Sequence, residues 1–193
     1  MGGRDHPMRV VTRDAALRPD SWTAEQAASV EATFDTVALT WDPDDRLHRT
    51  AVITDALTRG VRRRGGLAVE SGSGTGLVSA VLAGWFDRVV AVDISWQMLV
   101  RSPPGPGLRV QADGARLPLA SGRADALVMV NALLFPGEAD RVLRPGGAAV
   151  FVCTLGDDTP IYLSTDEVEK ALAGWPGVAA EAGWGTWAVF TKP

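Results

Sequence analysis

Three glycines at alternate positions, Gly72, Gly74 and Gly76, constrain this chain more than any other feature. Leu67, Ala68, Val69 and Glu70 lead into them as a short buried strand, and the apolar run 77–86 leaves them at helical length. The local plan is therefore strand, glycine turn, helix. Glycine serves where backbone needs a positive φ or must approach a ligand closely. The first amides of the following helix have no partner inside it and point out of the turn. Glu70 ends the strand just ahead of the glycines. A carboxylate there repels a phosphate and suits a ligand carrying an ammonium group. A dinucleotide loop, Gly-x-Gly-x-x-Gly, begun at Gly72 needs a glycine at 77, where this chain has Leu77.

The same alternation continues downstream. Strands are expected at 67–71, 88–93, 108–112, 124–130 and 148–153, with helices after the first two and a short crossover carrying Val142 and Leu143. Pro103, Pro104, Gly105, Pro106 and Gly107 read as a loop. Ser164 is set to cap a helix over 165–173, with Glu167 at capping-box spacing. Two last strands, 178–183 and 186–191, are joined at Trp184 and Gly185. Their closeness demands an antiparallel hairpin, because a parallel return needs a dozen or more residues. Strands alternating with helices predict a parallel sheet covered on both faces, with ligands at the carboxyl ends of the strands. Glu70, Asp93, Asp113 and Asn131 all fall at those ends.

Ahead of the alternation lies a helical cover, 21–64. One helix runs from Ser21 or Thr23 to about Leu39, with Ala27, Val30, Phe34, Val37 and Ala38 as its apolar positions. Residues 41–45 break it. A second runs from about Asp45 to Arg64 with Leu47, Val52, Ile53, Leu57 and Val61 on one face, stopped by Gly65 and Gly66. Arg59, Arg62, Arg63 and Arg64 close it and offset its dipole. Residues 1–20 read as a loosely ordered arm, and 21–193 as a single domain whose α/β core spans 65–193.

A chain of 193 residues with 22% charged residues and a net charge of −4 is an ordinary soluble domain, without the basic excess of a nucleic-acid binder. The lone cysteine, Cys153, excludes an intrachain disulfide and a thiolate metal cluster and reads as a core residue. No apolar run reaches membrane-spanning length, and Met1-Gly2 lacks the Ser or Thr at position 6 that myristoylation wants, having His6. These features predict a cytoplasmic protein, monomer or homodimer, with no metal.

Glu70-Ser71-Gly72-Ser73-Gly74-Thr75-Gly76 resembles the acidic-x-Gly-x-Gly-x-Gly motif of class I S-adenosylmethionine (SAM) dependent methyltransferases. The resemblance extends over roughly 34–193. Asp93, ending Val89-Val90-Ala91-Val92, can accept from both hydroxyls of a ribose, which says adenosine without saying which cofactor. The segment from Gln111 through Asp113 and Gly114 to Leu117-Pro118-Leu119 is similar to the one whose Asp holds the adenine amino group and whose next amide meets the ring. A turn or cap residue is the plainer alternative for Asp113. Asn131 matches a position near the methionine portion, and Arg141-Val142-Leu143-Arg144-Pro145-Gly146-Gly147 the family's turn into strand five. The resemblance implies a Rossmann-like seven-stranded sheet in the order 3-2-1-4-5-7-6 with strand 7 antiparallel. It implies SAM as cofactor, bound by Glu70, Ser71, Gly72, Gly74, Gly76, Asp93, Ile94, Met98, Asp113, Gly114 and Asn131.

Two departures stand out. The family's Phe-Asp-x-x-Ala-x-x-Tyr-Asp segment has Trp41 in place of tyrosine, and Pro136 with Gly137 shorten the helix after strand four. Trp22, Trp41, Phe135 and Tyr162 are candidates for an apolar acceptor pocket. His48 and Tyr162 are the weak candidates for a base, with a surface histidine the plainer reading of His48. Asn131 is not followed by the Pro-Pro-aromatic run of nucleic-acid amino methylases. The reading is methyl transfer to a small organic acceptor. A SAM binder of the same fold without transfer is the alternative, and an NAD-type dehydrogenase a weaker one.

Overall fold

Strand 67–71 becomes the hub of a sheet in the computed structural model, which describes residues 3–41, 46–105 and 107–193. The strands are β1 (Leu67–Ser71), β2 (Arg88–Asp93), β3 (Leu108–Gln111), β4 (Ala124–Val130), β5 (Leu143–Cys153), β6 (Gly177–Ala182) and β7 (Gly185–Thr191). They form one seven-stranded sheet ordered β3-β2-β1-β4-β5-β7-β6. Pairs from β3 through β5 are parallel, and β7 runs antiparallel to both β5 and β6. The expected sheet order and closing hairpin are both observed.

Strand residues alternate between two cores. Val69, Leu127, Met129, Phe151 and Phe190 pack on one face with α1 (Met8–Leu17), α6 (Pro136–Val142) and α7 (Thr165–Ala171). Ala68, Val128, Val150, Trp187 and Val189 pack on the other with α3 (Arg46–Gly60) and α4 (Leu77–Leu82). Cys153 is buried in the first core, its thiol pushed up to about 12 by burial. The remaining helices, α2 (Ala24–Val37) and α5 (Trp96–Arg101), lie over the strand ends and contact each other.

Several local expectations are corrected. The arm 1–20 contains α1, with Met8, Thr12, Ala15 and Ala16 buried at helical spacing. One side of it packs on α7 while Met8 is buried with Val30 and Ile161, and Arg13 pairs with Glu167 at 2.6 Å while Arg9 pairs with Asp157 at 3.0 Å. The helix α3 stops at Gly60, so Arg62, Arg63 and Arg64 follow it in non-helical backbone, where the Arg64 guanidinium sits 3.7 Å from the Trp85 ring centre. Leu47 is 88% exposed and does not share the face of Val52, Ile53 and Leu57. The helix after the glycines is shorter than 77–86, ending at Leu82 before Ala83 and Gly84. β5 starts at Leu143 rather than 148, taking in the Arg144–Gly147 turn with a register shift at Ala124/Ala126. The expected break at 42–45, the Met1-Gly2 pair and Pro106 lie outside the described residues. No helix among the described residues is long and apolar enough to cross a membrane.

Candidate functional site

The glycine loop is tied to the neighbouring strand through backbone. The amides of Gly72 and Ser73 both donate to Val92 O, at 2.8 and 3.0 Å. Gly72 holds φ 75°, and a Cβ there would sit 2.5 Å from Ala132 Cβ, so only glycine passes. Gly74 has φ 53° and no atom within 4 Å of its missing Cβ. The loop thus faces open space at Gly74 while being pressed against protein at Gly72. Ser73 Oγ is buried and has no hydrogen-bond partner among the described residues. An orphaned hydroxyl costs about 1–3 kcal/mol unless a bound group satisfies it.

Three carboxylates stand at the ends of adjacent strands. Glu70 is the penultimate residue of β1, Asp93 ends β2 and Asp113 lies two residues past β3. Neighbouring strands are about 4.8 Å apart, so the three form a row across the sheet. Glu70 is 2% exposed and accepts from Ser79 Oγ of α4. Burial pushes its carboxyl up to about 8, the Ser79 hydroxyl opposing this and the Asp93 charge adding to it. Asp93 accepts from Gly74 N at 2.7 Å and from Ser95 N at 2.8 Å. Burial raises its pKa as well, against the pull of those two amides. A carboxylate has about four acceptor sites, so Asp93 braces the loop and still has capacity for a ligand. Asp113 accepts from Ala115 N at 2.8 Å and from Trp22 Nε1 at 2.9 Å.

A cavity of about 410 Å³ opens along this row. Of the expected cofactor residues, Glu70, Ser71, Gly72, Gly74, Asp93, Ile94, Met98, Asp113, Gly114 and Asn131 line it; Gly76 instead caps α4 with φ 78°. Trp22, Trp41 and Phe135 also border it. Tyr162 does not: its neighbour Ile161 faces the cavity, while Arg9 stacks 4.6 Å from the Tyr162 ring centre. Burial raises the Tyr162 pKa, with the Asp157 charge adding to the shift. His48 is also outside the lining, its Nε2 2.7 Å from Thr154 O and its ring 5.0 Å from that of Trp184. Neither weak candidate for a base borders the cavity.

Asn131 reaches the cavity wall in a left-handed conformation, φ 50°. Its amide is spent on Thr154, with Nδ2 donating to Oγ1 and Oδ1 accepting from the Thr154 amide, each at 2.8 Å. It splices the ends of β4 and β5.

Sequence reasoning missed three contributors. Ser73, inside the glycine motif, carries the unpartnered buried hydroxyl. His6, placed in the arm, lines the cavity, and its Nδ1 accepts from Met8 N at 3.2 Å. Asp35 of α2 accepts from Ser95 Oγ at 2.6 Å and Gln97 N at 3.2 Å, fastening the cover to the start of α5. The Phe34-Asp35 pair and the Ser95 cap were signals for that clamp; nothing in the sequence signals His6.

Residues 69–151 match the family model described as a methyltransferase domain. Among curated proteins, none matches this chain. A SAM-dependent methyltransferase from Aquifex aeolicus is similar, with 17% identity and TM-score 0.67, over 81% of this chain and 97% of that one. A structure described as the DhpI–SAH complex shares 21% identity at TM-score 0.67, over 86% and 97% of the two chains. The N-methyltransferase NodS from Bradyrhizobium japonicum WM9, solved with S-adenosyl-L-homocysteine (SAH), shares 18% identity at TM-score 0.60, over 79% and 89%. At these identities the likeness establishes the fold.

Proposed function

We propose that this chain is a class I SAM-dependent methyltransferase, a reading supported by the methyltransferase-domain match over 69–151 and by the sheet order, and that its acceptor is a small organic molecule bound beneath the N-terminal segment. The row of carboxylates matches the order of groups along SAM. Glu70 and the orphaned Ser73 hydroxyl take the amino-acid end, Asp93 the ribose hydroxyls, and Asp113 with Gly114 the adenine. Ile94 and Met98 supply apolar wall. The cofactor brings an electrophilic methyl on a sulfonium; the chain's residues hold, orient and desolvate.

The observation carrying the acceptor assignment is the asymmetry of the cavity. Its floor is the polar loop and strand ends, and its roof is apolar, from Met8, Val30, Phe34 and Val37 with Leu133 and Ile161 beside them. At about 410 Å³ it lies near the small end of ligand pockets, which run from ~300 to ~1,000 Å³. An acceptor that shares this cavity with the cofactor must therefore be small. Proximity and orientation carry much of such a transfer.

His6 Nδ1 accepts a backbone amide, so the neutral ring carries its proton on Nε2 and offers a donor, not a base. Such a site suits an acceptor already nucleophilic near neutral pH: an aromatic or heteroaromatic amine, an acidic thiol or an acidic phenol. The test is SAH formation from SAM across a panel of those three classes, with Asp93→Ala as control. Turnover of any class that Asp93→Ala abolishes supports the reading. SAM binding with no turnover on the whole panel favours a binder that does not transfer.

A further inference from the structure

The indole of Trp22 reaches the carboxylate expected to read the cofactor's base. Trp22 lies ahead of α2, far from β3 in sequence, yet its Nε1–H donates to Asp113 Oδ2 at 2.9 Å. Ala115 N holds the other oxygen, Oδ1, at 2.8 Å. Trp22 is itself fixed edge-on against Phe135, ring centres 4.9 Å apart. Phe135 in turn lies close over Gly114, where a Cβ would come within 3.3 Å of its ring. Trp22, Asp113 and Phe135, with Ile94 and Ala112, border both the cavity along the glycine loop and a second one of about 790 Å³, so together they form the partition between the two.

We propose that Trp22 is a positioning residue of the adenine subsite, making Asp113 selective for a six-amino purine. This rests on the assignment of Asp113 to the adenine end. Two donors, one on each oxygen, fix the rotamer of Asp113 and keep the carboxylate an acceptor. Each oxygen retains one lone pair. A purine bearing an amino group can donate to it; one bearing an oxo group meets oxygen with oxygen. Sites built to pair with one hydrogen-bonding group reject the analogue lacking it far more strongly than they reject a change in size. Losing the Trp22 donor frees Asp113 to turn, and the selectivity falls with it.

The experiment is calorimetric titration of two probes, SAH and S-inosyl-L-homocysteine, in which the six-amino group is an oxo group. Trp22→Phe keeps a ring against Phe135 and removes the N–H. It should weaken SAH about tenfold, as befits one charge-assisted bond, and leave the oxo analogue nearly unchanged, so that their ratio shrinks. Asp113→Asn should collapse the ratio further, and circular dichroism confirms that each variant is folded. Equal weakening of both probes by Trp22→Phe would reduce Trp22 to a packing residue and overturn the inference. Tighter SAH binding would overturn it too, showing that the indole competes with adenine. Should Asp113→Asn leave the ratio intact, the adenine assignment itself fails, whichever way Trp22→Phe behaves.

Discussion

Asn131 and Thr154 grip each other by two hydrogen bonds of 2.8 Å, one from the Asn131 side-chain amide to the Thr154 hydroxyl and one from the Thr154 backbone to the Asn131 carbonyl oxygen. Asn131 does this at φ 50°, where residues other than glycine and asparagine are strained. Asn131→Ala loses both bonds and keeps the strain, so it should cost about 2–3 kcal/mol. Asn131→Gly loses the bonds without the strain and should cost about 1 kcal/mol less. Urea denaturation of the two variants checks this, and equal midpoints would mean that the backbone relaxes.

Asp93 serves loop and ligand together. Asp93→Ala should weaken SAM at least about tenfold, because charged hydrogen bonds are worth roughly 1.5–3 kcal/mol each. It should also lower the melting temperature by freeing Gly74 N and Ser95 N, which it now pairs. Asp93→Asn keeps an acceptor oxygen and should fall between. Calorimetry and thermal melts on the same samples separate the two effects; a folded Asp93→Ala that binds SAM like the parent removes the ribose role.

Burial of Glu70 has a consequence for pH. The carboxyl titrates near 8 in the fold and near 4.5 in the unfolded chain. Between those values the folded state binds the extra proton, so this group's contribution falls as pH rises through the window. Glu70→Gln removes the dependence. Its melting temperature relative to the parent should climb steadily from about pH 5 to pH 8. A flat difference would mean that Glu70 is ionised throughout. Pairing with a cofactor ammonium favours the charged form, so SAM binding at pH 7 should release protons, seen as a dependence of the measured heat on buffer.

The N-terminal segment is held by unequal clamps. Arg13, 60% exposed, pairs with Glu167 and should contribute under about 1 kcal/mol. Arg9 is 20% exposed, bonds both the carbonyl and the side chain of Asp157, and stacks on Tyr162. Arg9→Met should therefore lower stability more than Arg13→Gln and speed proteolysis ahead of α2. Limited digestion with time-resolved mass spectrometry reads the difference; the same cleavage rate in both variants would sink it.

The sheet was legible because its strands are apolar runs bounded by glycine and proline, and the carboxylates because they close those runs. What stayed hidden depends on distant partners. The helix α1 reads as an arm because its buried positions are small or modest residues, Met8, Thr12, Ala15 and Ala16, whose cover comes from α7 and, at Met8, from Val30 and Ile161. After β5 the chain leaves regular structure, so no periodicity tells that Ile161 and not Tyr162 borders the cavity. His48 looked close to the pocket because its helix does lie near the strand ends; its rotation about the helix axis turns it to Thr154.

The roof of the cavity also sets a schedule for biosynthesis. Arg9 meets Asp157 across 148 positions and Arg13 meets Glu167 across 154. At ribosomal rates of about 5–20 residues per second, the segment made early waits on the order of ten seconds for its partners. Through that interval Met8 can pack on Val30 of α2, but the side of α1 that meets α7 has no cover. Nascent chains halted before α7 should hold that segment open to chaperones and proteases. Only chains extended past α7 can close it over the glycine loop.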